Sequence, residues 1–207
     1  DNRNMVLFPE MFGGMFIRLE RPFPVYSRYG QTERFDIWIS DSPDLRYWGG
    51  HALLLGVEDV PFCNRKIGPA APPIKTDAGW LTPFHAVDVN PEVIWGGSER
   101  FGQTDWQKRY TAGVMLLDLE DPYRIIGICR APLLAPEADY ELDGYRNAVI
   151  FPGGMILEPD GEVKIYYGAA DAVMCLATAR VEELISLCEP VGSQVVSREG
   201  CVGRCGE

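Results

Sequence analysis

Arg3, Asn4, Arg21, Lys66 and His85 all stand at the ends of apolar runs, where a strand passes its side chains to a loop that can present them to a ligand. Arg3 and Asn4 precede MVLF, Arg21 closes the run MFIRLE, Lys66 opens a Gly/Pro-rich approach, and His85 ends WLTPFH. If the first hairpin folds at Gly13-Gly14, Arg3 and Arg21 fall at the same end of one sheet. Two neighbouring guanidinium groups repel unless an anion lies between them, and their forks suit phosphate or carboxylate oxygens. On spacing alone the plainer readings are solvated arginines at strand ends, a solvated Lys66 and a satisfied structural His85. The oxyanion clamp is the alternative.

These residues are positioned by a repeating pattern. Residues 66–88, KIGPAAPPIKTDAGWLTPFHAVD, cannot be helix interior, because each proline removes a donor and restricts the residue before it. Asp77-Ala78-Gly79 reads as a turn between short extended segments. Residues 5–21 show the same order of apolar run, Phe-Pro, Gly-Gly turn, apolar run and charge. Residues 149–171 repeat it around an Asp160-Gly161 turn, a strong hairpin signal. Each hairpin is followed by a further apolar stretch: 35–48, 109–134 and 173–187. A period of roughly 60 to 80 residues with about four strands per unit predicts all-β propeller blades. Closed rings have typically 4 to 8 blades and about three fit here, so the chain is expected to be the C-terminal part of something longer. Residues 1–188 are expected to form the partial propeller, and 189–207, rich in Gly, Ser and Cys, a disordered tail. Residues 181–187 read as a short helix with Glu182 and Glu183 in its first turn.

Composition narrows the function. The 207 residues carry a net charge of −11, against a nucleic-acid surface but not against a small anion site built from local positive groups. No apolar run approaches the ~20 residues of a membrane helix and no leader is evident, which predicts a cytoplasmic protein. The six cysteines are scattered and read as reduced thiols, mostly in strands. With His51 and His85 as the two histidines, a multi-histidine metal site is excluded. Dinucleotide, Walker and GxSxG motifs are absent. Asp118, Glu120 and Asp121 read as a solvated turn, and 137–144 as an acidic linker. Trp38, Tyr47 and Trp48 read as core packing, with a sugar platform as the alternative. The insertion 89–108 reads as a long loop, a lid or subunit contact. A carboxylate pair for glycoside hydrolysis cannot be chosen by spacing among Asp88, Asp143 and Asp171.

NRNMVLFPE, DIWISDSPDLRYWG, KIGPAAPPIKTDAGWL, FHAVD, GVMLLDLEDPYRIIG, NAVIFPGG and IYYGAADAVMCLATA, in that order, resemble glycoside hydrolase family 130, the mannoside phosphorylases, over about residues 2–187. The resemblance implies a five-bladed β-propeller with its active site in the axial cleft. It implies inverting attack by inorganic phosphate on a β-1,4-mannoside, releasing α-mannose 1-phosphate. The family's phosphate-binding groups fall on Arg3, Asn4, Arg21, Lys66 and His85, and Asp171 of YYGAAD matches a sugar-contacting carboxylate. The family's general acid, a single Asp, matches no residue here and is expected upstream of NRNMVLF, which leaves no catalytic residue in this chain. No metal or cofactor is implied beyond phosphate as co-substrate. The partners implied are the mannoside and phosphate, with self-association of the chain. Family members that hydrolyse lack the basic set. FHAVD, where aromatic-His-Gly is commoner, and the Cys/Gly tail depart from the pattern. The rival readings are a β-mannosidase using water and an inactive propeller fragment that binds sugar.

Overall fold

The computed structural model describes residues 2–23, 35–96 and 105–191, and within them strand follows strand through tight turns. The first sheet orders its strands as in the chain, β1(Asn2–Leu7), β2(Phe16–Pro22), β3(Ile37–Ser42) and β4(Gly49–Leu55). The second contains β5(Lys66–Pro69), β6(Ile74–Thr76), β7(Gly79–Val89), β8(Lys108–Leu117) and β9(Ile125–Ile128). The third contains β10(Ile150–Leu157), β11(Glu162–Ala169) and β12(Val173–Arg180). The chain is therefore all-β, in three successive antiparallel sheets.

Turn chemistry accounts for the hairpins. Gly13 and Gly14 have φ of +57° and +83° and Gly161 has +86°, conformations that cost glycine little. At the Asp77-Ala78 turn, Thr76 Oγ1 accepts from Ala78 N and Gly79 N. Asp118 is held in its turn by the amides of Glu120 and Asp121 and by Arg124, as a solvated acidic turn requires. β7 and β8 pair without a break from Trp80↔Leu117 to Val89↔Lys108, and nearly all of both strands is buried. All three sheets contribute to the main core, in which Trp80, 1% exposed, meets Phe8 edge-on at 5.5 Å. α2(Val181–Ser186) caps β12 where a helix was expected, its Leu184 buried in that core.

The structure departs from the sequence reading in four places. Glu189–Pro190, the start of the expected tail, forms β13 beside β9; residues 192–207, including Cys201 and Cys205, lie outside the described residues. Of the four described cysteines, Cys63, Cys129, Cys175 and Cys188, Cys175 alone is within a strand; Cys63 lies in the loop before β5 and Cys129 and Cys188 at a strand and a helix exit, where their sulfurs meet backbone carbonyls or amides. Burial pushes the Cys188 thiol up to about 12. Tyr47 is not core but 77% exposed, because the Asp44 turn that accepts its amide carries it outward; Trp38 and Trp48 are partly buried, Trp48 lying under the Arg18 guanidinium at 3.9 Å.

The fourth departure is the acidic linker. It contains α1(Asp139–Leu142), and Glu141 is 6% exposed. Its carboxylate accepts from Glu137 N at 2.8 Å, Ala138 N at 3.0 Å and Tyr167 Oη at 2.7 Å. Burial alone would raise its pKa, but the two amides and the phenol outweigh it, so Glu141 titrates below an ordinary glutamate. Glu141→Ala would strand those three donors and should cost about 3 kcal/mol, read as a lower urea midpoint at pH 7. The difference from wild type should shrink as pH falls below about 4.5 and Glu141 itself takes a proton.

Candidate functional site

Positive groups scattered through the sequence meet where the three sheets open. β1 and β2 place Arg3 opposite Arg21. β5 and β7 place Gly68 opposite His85. Lys66 bridges to Phe35 at the approach to β3, with Ile67 N donating to Phe35 O at 2.9 Å. Arg21 Nη1 then lies 3.0 Å from His85 Nε2, both side chains buried. A guanidinium only donates, so Nε2 accepts and the imidazole proton belongs on Nδ1. A Cβ at Gly68 would stand 2.4 Å from His85 Cε1 and 3.3 Å from Arg21 Cδ; the glycine is what lets the two side chains meet.

His85 is held neutral. Burial, then the charges of Arg21 and Lys66, drive its pKa well below the ordinary value, and the Pro69 carbonyl offsets this only in part. The buried Arg21 Nε has no partner at hydrogen-bonding distance, whereas the His85 N–H is turned to the Pro69 carbonyl. The ring sits 4.6 Å from Phe151 and 6.3 Å from Tyr110, centroid to centroid. Lys66 Nζ lies 4.9 Å over the Tyr110 ring. Burial, then Arg21, Lys108, Arg146 and Arg3, lower the Lys66 pKa to about 8. Burial raises the Tyr110 phenol, with Arg21 and Arg146 pulling it back.

Arg3, Arg21, Lys66 and His85 are thus brought together as the anion-clamp reading requires, and Asn4 adjoins them at an irregularity of the β1–β2 register, with φ +57°. Asp171 joins from the exit of β11: its Oδ2 is 3.7 Å from Arg146 Nε, and its charge acts on Tyr110. Asp88 turns instead to Arg109, 3.0 Å from its Nε. Among the described residues, four of the five non-glycines with positive φ, Asn4, Ala148, Ala170 and Asp171, border this site, where strained backbone recurs in functional sites.

The site also holds residues that were not singled out from the sequence: Tyr110, Trp106, Lys108 and Arg146. Trp106 stacks on Tyr110 at 6.2 Å, and Lys108 Nζ and Arg146 Cζ lie 5.2 and 5.1 Å from its ring. For Arg146 a signal was present. RNMVLFP at 3–9 and RNAVIFP at 146–152 share five of seven residues, which makes Arg146 the repeat counterpart of Arg3. Asn147 is buried and ties Gly144 N to Trp95 O. A cavity of about 560 Å³ adjoins, lined by Asn64, Arg65, Asp105, Trp106, Gln107 and Lys108.

A family model described as beta-1,4-mannooligosaccharide phosphorylase matches residues 3–190. The beta-1,2-mannobiose phosphorylase of Listeria innocua is 34% identical over 185 residues, 89% of this chain and 46% of its own. The beta-1,4-mannooligosaccharide phosphorylase of Ruminococcus albus is 33% identical over 187 residues, 89% of this chain and 50% of its own. The solved structure of the Listeria enzyme in complex with beta-1,2-mannobiose superposes with a TM-score of 0.73 at 33% identity, over 90% of this chain and 46% of that one. The chain spans about half the length of the curated relatives it matches.

A lysine that titrates near 8 when folded and 10.5 when unfolded releases its proton more readily in the native state. Between those values the unfolded chain binds more protons, so stability should rise with pH across that window. Lys66→Met should flatten that rise relative to wild type in urea titrations at pH 7.5 to 10; an unchanged slope would mean that Lys66 is not electrostatically crowded.

Proposed function

The chain belongs to glycoside hydrolase family 130, and from that premise we propose that it is part of a phosphorylase in which inorganic phosphate attacks a β-mannoside with inversion and releases α-mannose 1-phosphate. The observation that carries this reading is the buried Arg21–His85 contact beside Lys66 and Arg3, with Arg21 Nε left without an acceptor. Phosphate oxygens are acceptors of the right charge. Arg3, Asn4, Arg21, Lys66 and His85 would hold the dianion in line with the anomeric carbon, and catalysis would come from positioning and charge, since phosphate is itself the nucleophile. Below about pH 8 Lys66 carries its charge to that task. Asp171 would grip a mannosyl hydroxyl. The proton for the leaving sugar would come from an aspartate that matches no position in these 207 residues.

The three sheets read as blades of a propeller. Along β12, Met174 and Leu176 share one face and are 73% and 50% exposed, an apolar strip that a neighbouring blade would cover; the greater length of the relatives supports such a blade. For the linkage, the family model's description favours β-1,4. The Listeria relative and its complex support β-1,2 as a second reading.

Incubation with β-1,4- and β-1,2-mannobiose, with and without phosphate, tests the chemistry: mannose 1-phosphate should form only with phosphate, and phosphate-independent release of mannose would overturn the reading. Calorimetric titration with phosphate tests the site even where turnover is slow. Arg21→Ala should weaken phosphate by about a hundredfold, as loss of a charge-assisted, buried donor does; an unchanged affinity would place the anion elsewhere.

A further inference from the structure

Arg3 and Arg21 face each other across the β1–β2 ladder, and like charges so placed push their strands apart. β1 is the edge strand of its sheet, so among the described strands β2 alone holds it there. The ladder gives little grip at that point. Its pairs are Asn2↔Pro22 and Arg3↔Arg21 before the register slips ahead of Val6, and Pro22 has no N–H to donate. A second tie runs along the opposite face. Glu20 precedes Arg21 on β2, so its side chain points away from the clamp, and it is 1% exposed. Its Oε2 accepts from Asn2 Nδ2 and from Arg18 Nη2, the latter at 2.7 Å, and its Oε1 meets His51 Nδ1 at 2.7 Å. Arg18 Nε in turn donates to Ser40 Oγ at 3.0 Å. Asn2 stands on β1, Arg18 and Glu20 on β2, Ser40 on β3 and His51 on β4. One chain of polar side chains therefore crosses all four strands and ends on the residue next to Arg3.

We propose that Glu20 is a positioning residue for the anion clamp. Through Asn2 it holds β1 against the repulsion between Arg3 and Arg21, and so keeps both guanidinium groups converged on one phosphate. It touches neither phosphate nor sugar. A carboxylate suits the task, because charge-assisted bonds are the strong ones and donors from three strands fix its place within a connected network. With that tie cut, Arg3 would move away from its like-charged neighbour and leave Arg21, Lys66 and His85 to hold the anion. The proposal deepens the phosphorolysis reading and rests on it for phosphate as the anion.

Calorimetric titration of the full chain with inorganic phosphate tests it through a mutant cycle. Asn2→Ala and Glu20→Gln should each weaken phosphate about tenfold, the scale of one charge-assisted hydrogen bond, and Asn2→Ser, which can still donate to the carboxylate, should recover part of the loss. In an Arg3→Ala background, itself weaker, neither variant should weaken phosphate further, because no arginine is left to place. A merely structural role would lower the melting temperature without that dependence on Arg3. Asn2 lies outside the apolar core, so Asn2→Ala carries the test if Glu20→Gln does not fold. Unchanged affinity in Asn2→Ala, or an equal loss with and without Arg3, would overturn the proposal. If phosphate binds neither wild type nor variants, the phosphorolysis reading falls and hydrogen exchange decides the positioning: β1 amides should exchange faster in both variants while those between β2 and β3 are unchanged, and protection retained along β1 would overturn it.

Discussion

Positive charge assembled in one place repels itself, and the architecture around Lys66 follows from that constraint. Two like charges at 4 Å oppose each other by about 4 kcal/mol at an effective dielectric near 20. The protein meets the cost by fixing the groups on strands that cannot separate. The Arg3–Arg21 pairing is set by the β1–β2 ladder, and His85 sits in the middle of the unbroken β7–β8 register. Neutral His85 is part of the same solution: it receives an Arg21 N–H where a second cation would add to the repulsion.

Aromatic faces do the rest. Phe23, Phe35, Tyr110 and Trp106 each lie within 4.9 to 5.5 Å of a lysine nitrogen or guanidinium carbon of the cluster. A ring face attracts a cation without neutralising it, so the cluster is steadied while its charge stays available to an anion. Carboxylates would have stabilised the empty site further and closed it to ligand. Glu20 shows that alternative within the same sheet. It is buried and takes up Arg18 and His51, each at 2.7 Å, together with Asn2, leaving that end of the sheet internally neutralised. One residue along β2, Arg21 has no carboxylate partner in hydrogen-bonding reach among the described residues and faces the cleft.

The all-β class, the hairpin turns and the α2 helix were legible in the sequence because each is encoded locally, by Gly-Gly, Asp-Gly and apolar alternation. The ends of strands were legible too, and with them the meeting of Arg3 and Arg21. The buried Glu141 was not. An acidic run reads as solvent-facing, and its partners, Tyr167 and two amides of its own turn, become visible only once α1 is folded against β11. Tyr47 failed in the opposite sense: its aromatic ring promised burial, but the Asp44 turn aims it at solvent. Trp106 and Lys108 fell within the insertion read as a lid or subunit contact, but their column with Tyr110 was not legible, because stacking is a property of neighbouring strands, not of spacing.

The repeated heptad shows how far a motif carries and where it stops. In the first copy the arginine lies within β1 and Phe8 just past its end; in the second the strand, β10, begins only at Ile150, four residues after the arginine. The neighbours differ. In the first copy the arginine lies opposite Arg21, a like charge. In the second, Ala148 and Ala170 turn through positive φ, Arg146 N donates to Ala170 O at 3.0 Å, and the guanidinium comes within reach of Asp171 and over Trp106. The single charge of that arginine is answered by Asp171, 3.7 Å from its Nε. The shared residues therefore carry over the arginine, while the sheet on either side decides its neighbours: a like charge across the ladder in the first copy, a carboxylate and an indole in the second.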